Sequence, residues 1–302
     1  MVKRWRARAA GAAVGLLADR FLGEPPVPGR LHPVALFGNG MLGLERRLYA
    51  DDRTRGAVLA ATGAAVAAGA GAVVGSPAVA SYVASAGHGL HRAALDVGRA
   101  LDAGQLDEAR ALLPHLVGRD PSGLDAAEVA RAAVESVAEN TTDAIVAPAL
   151  WTVAAGAPGA FVHRAADTLD SMVGYRDARY RRFGTAAARL DDVLAWAPAR
   201  ATALLVAAVR PRRAGAVWAT VRRDAPRHPS PNAGVAEAAF AGALGVRLGG
   251  TNRYGDTVEH RPTIGDGRGV GAADVGAAVA LSRDVTTVLA ATLLVIGVVP
   301  RR

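Results

Sequence analysis

The stretch GAVLAATGAAVAAGAGAVVG, residues 56–75, consists almost entirely of alanine, valine and glycine. It opens a run without Asp, Glu, Lys or Arg that continues to His91. A helix of about 20 apolar residues is long enough to cross the hydrocarbon core of a bilayer. Small residues also let neighbouring helices approach closely in lipid. This stretch therefore predicts a membrane-spanning helix.

Further apolar segments lie on both sides of this stretch, at residues 9–18, 144–162, 193–209, 233–246 and 285–300. Taken singly, each segment also fits an alanine-rich buried helix of a soluble protein. Taken together, they predict an all-α, multi-pass integral membrane protein with roughly four to six transmembrane or re-entrant helices. We expect residues 1–302 to form a single membrane-embedded domain, with a polar helical insertion at residues 92–140 between apolar segments.

The charge pattern supports this topology. The chain has a formal net charge of +8, and Lys3 is its only lysine. The arginines cluster beside the apolar segments, as the positive-inside rule requires. This balance favours a membrane topology and anionic substrates, and we expect no nucleic-acid partner. A basic start followed by the short segment 9–18 lacks a clean cleavage site, so we predict an uncleaved first helix with a cytoplasmic N-terminus.

Several common site types are excluded by composition and motif. The chain has no cysteine, which excludes a disulfide scaffold, a thiolate zinc site and a cysteine nucleophile. The sequence also lacks the glycine-rich loop with lysine that cradles nucleotide phosphates, and the elbow motif of serine hydrolases. Phosphates must therefore be bound by arginine, metal and helix N-termini.

The polar regions between the apolar segments are predicted to be helices and loops. Asp125 and Glu128 form a capping-box pattern before an apolar periodic run, which predicts a helix start. Residues 249–271 are rich in glycine and charge and are predicted to be a loop. No segment alternates in the way that indicates a β-strand.

Three carboxylates are spaced by four residues at Glu135, Glu139 and Asp143. On a continuous helix they share one face, where like charges repel each other. A divalent cation relieves this repulsion, and Mg²⁺ prefers oxygen ligands of this kind. The spacing therefore suggests a magnesium site beside the apolar segment that follows. The alternative is a solvated acidic face.

A second charged block begins at Asp167 and Asp170, which lie three residues apart and share a helical face. Tyr175 follows, and then a dense mixture of Arg179, Arg181, Arg182, Asp191 and Asp192. Carboxylates suit a metal ion, and guanidinium groups suit phosphate. The alternative is an interfacial loop whose charges pair with one another.

The segment HPSPNAG, residues 228–234, cannot form a regular helix because two prolines remove backbone donors. The amides that follow open the next helix and form a possible anion site, with Glu237 in its first turn. The alternative is an ordinary turn. Asp19, Glu24 and His32 lie in a further irregular segment rich in proline and glycine.

These blocks together resemble the CobD/CbiB family of adenosylcobinamide-phosphate synthases in cobalamin biosynthesis. The matching segments are DRFLGEP with LHPV, ESVAENTTDAIVAP, TLDSMVGYRDARYRRFG with ARLDDV, and HPSPNAGVAEA with GVRLGG. They occur in the family's order, from about Asp19 to about Tyr254. In two places the chain departs from the family pattern: Asp167 stands where Asn is usual, and Glu24 replaces a commoner Asp.

The resemblance implies an enzyme of the inner or plasma membrane, with its polar blocks in the cytoplasm. Such an enzyme uses ATP and Mg²⁺ to join adenosylcobyric acid, a corrinoid, to aminopropanol phosphate or aminopropanol. Its partners are these small molecules, the lipid bilayer and other late membrane enzymes of the pathway. The alternative from another class is a non-catalytic carrier or signalling protein, similar to a membrane family tied to β-lactamase induction.

The resemblance nominates residues in these blocks, and the chemistry of their side chains, together with that of Asp167, Arg179, Arg181 and Arg182, suggests individual roles. The expected catalytic residues are Glu135, Glu139, Asp143, Asp170, His228 and Glu237. The expected substrate- and phosphate-binding residues are Asp19, Glu24, His32, Asn140, Tyr175, Arg179, Arg181, Arg182, Asp191, Asp192, Ser230 and Asn232. The expected ligands for Mg²⁺ are Glu135, Glu139, Asp143, Asp167 and Asp170.

Overall fold

The computed structural model describes residues 2–118, 120–175, 177–254 and 257–298. Within these ranges the chain is almost wholly helical, which confirms the predicted all-α class. The helices are α1 (Val2–Leu22), α2 (Pro33–Leu48), α3 (Arg53–Val74), α4 (Pro77–Ala84), α5 (Gly87–Asp102), α6 (Leu106–Leu112), α7 (Ala126–Thr141), α8 (Ala147–Ala155), α9 (Ala157–Val173), α10 (Thr185–Val209), α11 (Ala214–Asp224), α12 (Ala233–Leu244) and α13 (Ala272–Val298).

Three of these helices are long and apolar enough to cross a membrane: α3, α10 and α13. Their mean hydropathies are 1.9, 1.4 and 1.7, respectively. The multi-pass prediction is confirmed, although three spans are fewer than the predicted four to six transmembrane or re-entrant helices. The difference arises because the segment 144–162 is divided between a π-helical turn, α8 and α9, while α12 has only 12 residues.

The chain forms two compact units. The first unit contains Met1–Ala86, Asp143–Pro198 and Leu289–Arg302, and the second contains Gly87–Thr142 and Ala199–Val288. The prediction of one membrane-embedded domain stays a prediction.

The core of the first unit lies where α3 packs on α9. Leu59 of α3, Leu169 of α9 and Phe183 are buried there, with Met41 of α2 beside them. A side chain at Gly56 would clash with the carbonyl oxygen of Phe183, so the backbones meet only because this residue is glycine. This approach brings the arginine-rich segment before α10 against the start of α3.

The second unit is built around α12, whose residues from Ala233 to Ala243 are all buried. A helix that is buried on every side, here with Glu237 as its one charged residue, has to be surrounded by other elements. Here α7, α11 and a β-hairpin pack against α12. Helix α7 starts at a capping box in which Asp125 and Glu128 bond to each other's backbone amides, as predicted.

The β-hairpin corrects one sequence prediction. Residues 249–271 were expected to be a loop, but β1 (Leu248–Tyr254) and β2 (Thr257–Ile264) pair antiparallel. The register shifts between Leu248 and Gly250, where Gly249 and Gly250 have φ angles of 78° and 104°. Such an irregularity needs glycine, and it interrupts the alternation by which a strand is recognised.

Candidate active site

The segment HPSPNAG forms a fixed turn between a short 3₁₀ turn, Ala225–Arg227, and helix α12. The Ser230 hydroxyl accepts hydrogen bonds from the backbone amides of Asn232 and Ala233, each at 3.2 Å. The Nδ1 atom of His228 lies 3.1 Å from both the amide nitrogen and the carbonyl oxygen of Ser230. The turn thus holds the imidazole ring by its Nδ1 side, whichever tautomer it adopts.

The other ring nitrogen of His228 faces a carboxylate. Its Nε2 atom lies 3.8 Å from Oε1 of Glu237, which is in the second turn of α12 and not in the first turn as expected, because the helix begins at Ala233. The side chains are 3% and 1% exposed, respectively, so this pair is shielded from bulk water. A buried imidazole beside a buried carboxylate is an arrangement that accepts and releases a proton. The structure therefore brings together two of the predicted catalytic residues.

A cavity of about 540 Å³ adjoins this pair. Its described lining residues are Arg200, Ala203, Leu204, Trp218, Val221, Ala225, Pro226, His228, Pro229, Pro231 and Val235. The Arg200 guanidinium donates a hydrogen bond of 2.9 Å to Oδ1 of Asn232. The cavity is therefore an apolar pocket with one fixed positive charge and one titratable ring on its wall. Concave sites with few, convergent polar groups are typical of small-molecule binding.

The predicted carboxylate row has a different local setting from the one expected. Glu135 is buried in α7, and its Oε1 accepts a hydrogen bond of 2.8 Å from the Gly249 amide. This contact attaches the β-hairpin to α7. Glu139 lies one turn further along α7, and Asp143 lies beyond it in the π-helical turn Thr142–Val146. Asn140 donates hydrogen bonds to the backbone and hydroxyl oxygens of Ser136.

No three His, Asp or Glu side chains are grouped as a metal site anywhere in the described ranges. Of the five predicted ligands, Glu135 and Glu139 lie on α7, Asp143 lies in the π-helical turn, and Asp167 and Asp170 lie on α9. Mg²⁺ commonly uses only one or two carboxylates and takes its other ligands from water and substrate phosphates. The magnesium ligands named from the sequence stay a prediction.

In the first unit, Asp167 and Asp170 lie in the last turns of α9. Asp167 forms an ion pair of 2.9 Å with Arg164, and burial raises the pKa of its carboxyl group. Asp170 lies beside Gly174, which caps the helix C-terminus. A carboxylate at this end of a helix opposes the helix dipole, which makes Asp170 costly as a purely structural residue.

Arg179, Arg181 and Arg182 precede α10 in the first unit, and two of them make contacts that the sequence did not reveal. Arg179 forms an ion pair of 2.9 Å with buried Glu45, and its guanidinium lies 4.2 Å from the ring centroid of Tyr49. The hydrogen bond that Arg179 donates to the Glu45 carboxylate raises the pKa of Arg179. Arg182 lies 3.7 Å from Asp51. Arg181 is exposed, and phosphate binding by these arginines stays a prediction.

The remaining nominated residues are spread through the first unit. Asp19 is buried in the last turn of α1, and Glu24 is exposed just after it. His32 caps α2 by accepting a hydrogen bond from the Val34 amide. Tyr175 is exposed, whereas Asp191 and Asp192 are half-buried in α10.

The sequence analysis did not nominate three residues that the structure places at or near the cavity or in buried contacts of the second unit. Arg200 and Trp218 line the cavity but come from helices that sequence spacing does not bring together. Asp224 is buried, and it binds both the Arg223 guanidinium and the Gly265 amide. The one available signal was Arg200, the only charged residue between Val193 and Val209.

Comparison with known proteins identifies the family. The profile described as "CobD/Cbib protein" matches residues 12–282. The chain belongs to the CobD/CbiB family. A relative from Mycobacterium tuberculosis (strain ATCC 25618 / H37Rv), called cobalamin biosynthesis protein CobD, is 48% identical over 99% of this chain and 98% of its own length.

Two more distant members of the CobD/CbiB family carry the same name. The protein from Geobacter metallireducens is 43% identical over 85% of this chain and 87% of its own length. The protein from Halalkalibacterium halodurans is 44% identical over 70% of this chain and 67% of its own length. No solved structure matches the chain. These relatives support a biosynthetic enzyme and do not support the carrier or signalling alternative.

Proposed function

We propose that this chain is an ATP-dependent C–N ligase that makes adenosylcobinamide phosphate from adenosylcobyric acid and aminopropanol phosphate. Membership of the CobD/CbiB family supports the pathway. The observation that carries the reaction type is the buried His228–Glu237 pair beside the cavity. An amine nucleophile must lose a proton before or during attack, and a buried imidazole beside a carboxylate supports that step.

The chemistry divides into an activation step and a transfer step. A carboxylate is a poor electrophile, so its oxygen first attacks the γ-phosphorus of ATP, giving an acyl phosphate and ADP. The amine nitrogen then attacks the acyl carbon, and inorganic phosphate leaves as the amide forms. In this scheme His228 takes the ammonium proton, and the carboxylate of Glu237 stabilises the resulting imidazolium.

Mg²⁺ would neutralise charge on the ATP phosphates when bound. Glu135 and Glu139 lie one turn apart on α7 and offer oxygen ligands of the type it prefers. The Asp167 carboxylate already bonds to Arg164, so it fits this task less well. The proposed cytoplasmic face follows from the location of ATP and from the positive-inside pattern of arginines.

Mass spectrometry of the product tests the proposal. Purified protein in detergent receives adenosylcobyric acid, aminopropanol phosphate and Mg-ATP together, and each is then omitted in turn. We expect cobinamide phosphate only when all three are present. We expect Glu237→Gln to lower kcat about 100-fold or more, because the neutral amide cannot stabilise a protonated imidazole.

Glu108→Gln is the matched control, since Glu108 is exposed on α6. It should leave kcat unchanged. Product without ATP would contradict the ligase. Near wild-type activity of Glu237→Gln would contradict the role given to the pair.

A further inference from the structure

Arg200 is a charged residue in the apolar part of a candidate membrane-spanning helix, which indicates a functional role. It is the only charged residue between Val193 and Val209, in a helix that is apolar enough to span a membrane. A central arginine disfavours the insertion of a helix into the membrane. Charged residues in such segments usually face a cavity and mark a binding site. Arg200 does line a cavity, the one beside His228.

The cavity's lining shows what kind of ligand it suits. Apart from the titratable His228, Arg200 is the one ionisable residue among the described lining residues. The other walls are alanine, leucine, valine, proline and the indole of Trp218. Such a pocket suits a small molecule with a short carbon skeleton and one anionic end. A guanidinium binds phosphate well because it offers parallel N–H donors.

One residue that holds Arg200 is also informative. Asn232 is buried and accepts a hydrogen bond of 2.9 Å from Arg200 Nη1. An amide oxygen orients the guanidinium without neutralising its charge. An aspartate of the same shape would make a salt bridge and compete with an anionic ligand. The choice of Asn therefore fits a guanidinium that has to attract an anion.

We propose that Arg200 binds the phosphate of the amine substrate and that Asn232 is its positioning residue. The inference rests on the proposed function and deepens it. It places the two ends of one small molecule along one cavity wall, with the phosphate at Arg200 and the amine towards His228. Arg200 thus selects a phosphorylated amine over a free amino alcohol. The same anionic chemistry could come from ATP, and the kinetic experiment below separates the two.

Direct binding provides the first test. The full chain in detergent is titrated calorimetrically with phosphoethanolamine and with ethanolamine, which carry the same amine and differ in the phosphate. We expect wild type to bind phosphoethanolamine more tightly, and Arg200→Met to weaken that binding about 10- to 100-fold while leaving ethanolamine unaffected. Arg212→Met is the control, because Arg212 is exposed and does not line the cavity.

Asn232→Asp keeps the shape and a hydrogen-bond acceptor, so it tests the charge argument where Arg200→Met fails to fold. A purely structural Asn232 predicts unchanged or firmer binding, whereas our inference predicts weaker phosphoethanolamine binding. Equal affinity of wild type for the two probes would overturn the inference, as would unchanged binding in both variants.

Steady-state kinetics separates the amine from ATP. We expect Arg200→Lys to raise the KM for aminopropanol phosphate with little change in the KM for ATP. A rise confined to the KM for ATP would overturn the assignment to the amine. Arg200-dependent phosphoethanolamine binding in a protein that makes no product would leave the anion site standing and refute the ligase. Normal product formation by Arg200→Met, with an unchanged KM for the amine, would support the ligase and refute the role of Arg200.

Discussion

Gly234 is the residue on which the position of His228 depends. A Cβ atom at Gly234 would clash with Cβ of His228, so the imidazole reaches Glu237 only because this position has no side chain. The backbone there is helical, so the requirement is one of space and not of φ angle. The absence of a Cβ atom at Gly234 thus allows His228, the proposed base, to take its observed position.

We predict that Gly234→Ala displaces His228 and lowers kcat at least about tenfold, together with about 1–3 kcal/mol of stability lost to overpacking. Product formation and thermal unfolding in detergent measure both effects. Gly215→Ala is the control, because a Cβ there meets no other atom within 4 Å and Gly215 lies in helix α11. It should be neutral or slightly stabilising. Equal behaviour of the two variants would show that the imidazole does not depend on this contact.

The sequence indicated some of these residues and could not indicate others. His228, Ser230, Asn232 and Glu237 lie within one short segment, so their proximity follows from local geometry alone. Arg200 joins them from another helix, 32 residues before Asn232, and no spacing rule reveals such a meeting. Glu135 was nominated for metal by its spacing, yet its carboxylate also bonds to Gly249, a contact over 114 residues.

At the scale of elements, helix α10 shows how a proline inside a helix is accommodated. Pro198 has no N–H, so the carbonyl of Leu194, four residues earlier, lacks its helical partner. The indole Nε1 of Trp151 donates a hydrogen bond of 2.9 Å to that carbonyl. Helix α8 thereby supplies the donor that the proline removed from α10.

This compensation predicts a coupling between two substitutions. Trp151→Phe should destabilise the protein by about 1 kcal/mol, because a part-buried carbonyl loses its donor. In a Pro198→Ala background the alanine N–H serves that carbonyl, so the hydrogen-bond part of the loss should disappear. A double-mutant cycle of thermal unfolding measures the difference. Strictly additive effects would mean that the indole does not replace the missing donor.

Helices were easier to predict than the hairpin for a physical reason. The start of α7 is a local event between Asp125 and Glu128, three residues apart, and the sequence shows it directly. The hairpin depends on glycine conformations at Gly249 and Gly250 and on attachment to α7, and neither leaves a periodic pattern. Its glycines and charges therefore resembled a loop.

At the scale of the whole molecule, a buried carboxylate joins helix α11 to the end of the hairpin in the second unit. Oδ2 of Asp224 accepts two hydrogen bonds of 2.8 Å, one from Nη2 of Arg223 and one from the backbone amide of Gly265. The hydrogen bond with Arg223 holds the pKa of Asp224 below its ordinary value of 3.8. A carboxyl group with a depressed folded-state pKa stabilises the fold above pH 3.8, and this contribution is lost as the pH falls through the folded-state pKa.

We therefore predict that Asp224→Asn lowers stability by about 2 kcal/mol at neutral pH, and that its difference from wild type shrinks below pH 3.8. Thermal unfolding in detergent over a pH series measures this. Asp266→Asn serves as control, because Asp266 also pairs with Arg223 but its side chain is 82% exposed. Its effect should be well under half as large. A pH-independent difference for Asp224→Asn would contradict the assignment.

The membrane class of the whole chain was predictable because it depends on composition summed over long segments. The division into two compact units was not predictable, because the first unit combines three separate stretches of chain and the second combines two. Helix α10 begins in the first unit and, after Pro198, continues in the second. Such a division is set by long-range packing, which one sequence does not display.

The arginine in the middle of α10 has a consequence for how the protein is made. During synthesis, α10 reaches the translocon as the least apolar of the three candidate spans, with a mean hydropathy of 1.4 and Arg200 near its middle. Asn232, which holds that guanidinium, emerges 32 residues later. We therefore expect α10 to enter the lipid late, after the start of α12 has been synthesised. Its biogenesis is then a cooperative event, in which a helix becomes a stable membrane segment only with a partner from further down the chain.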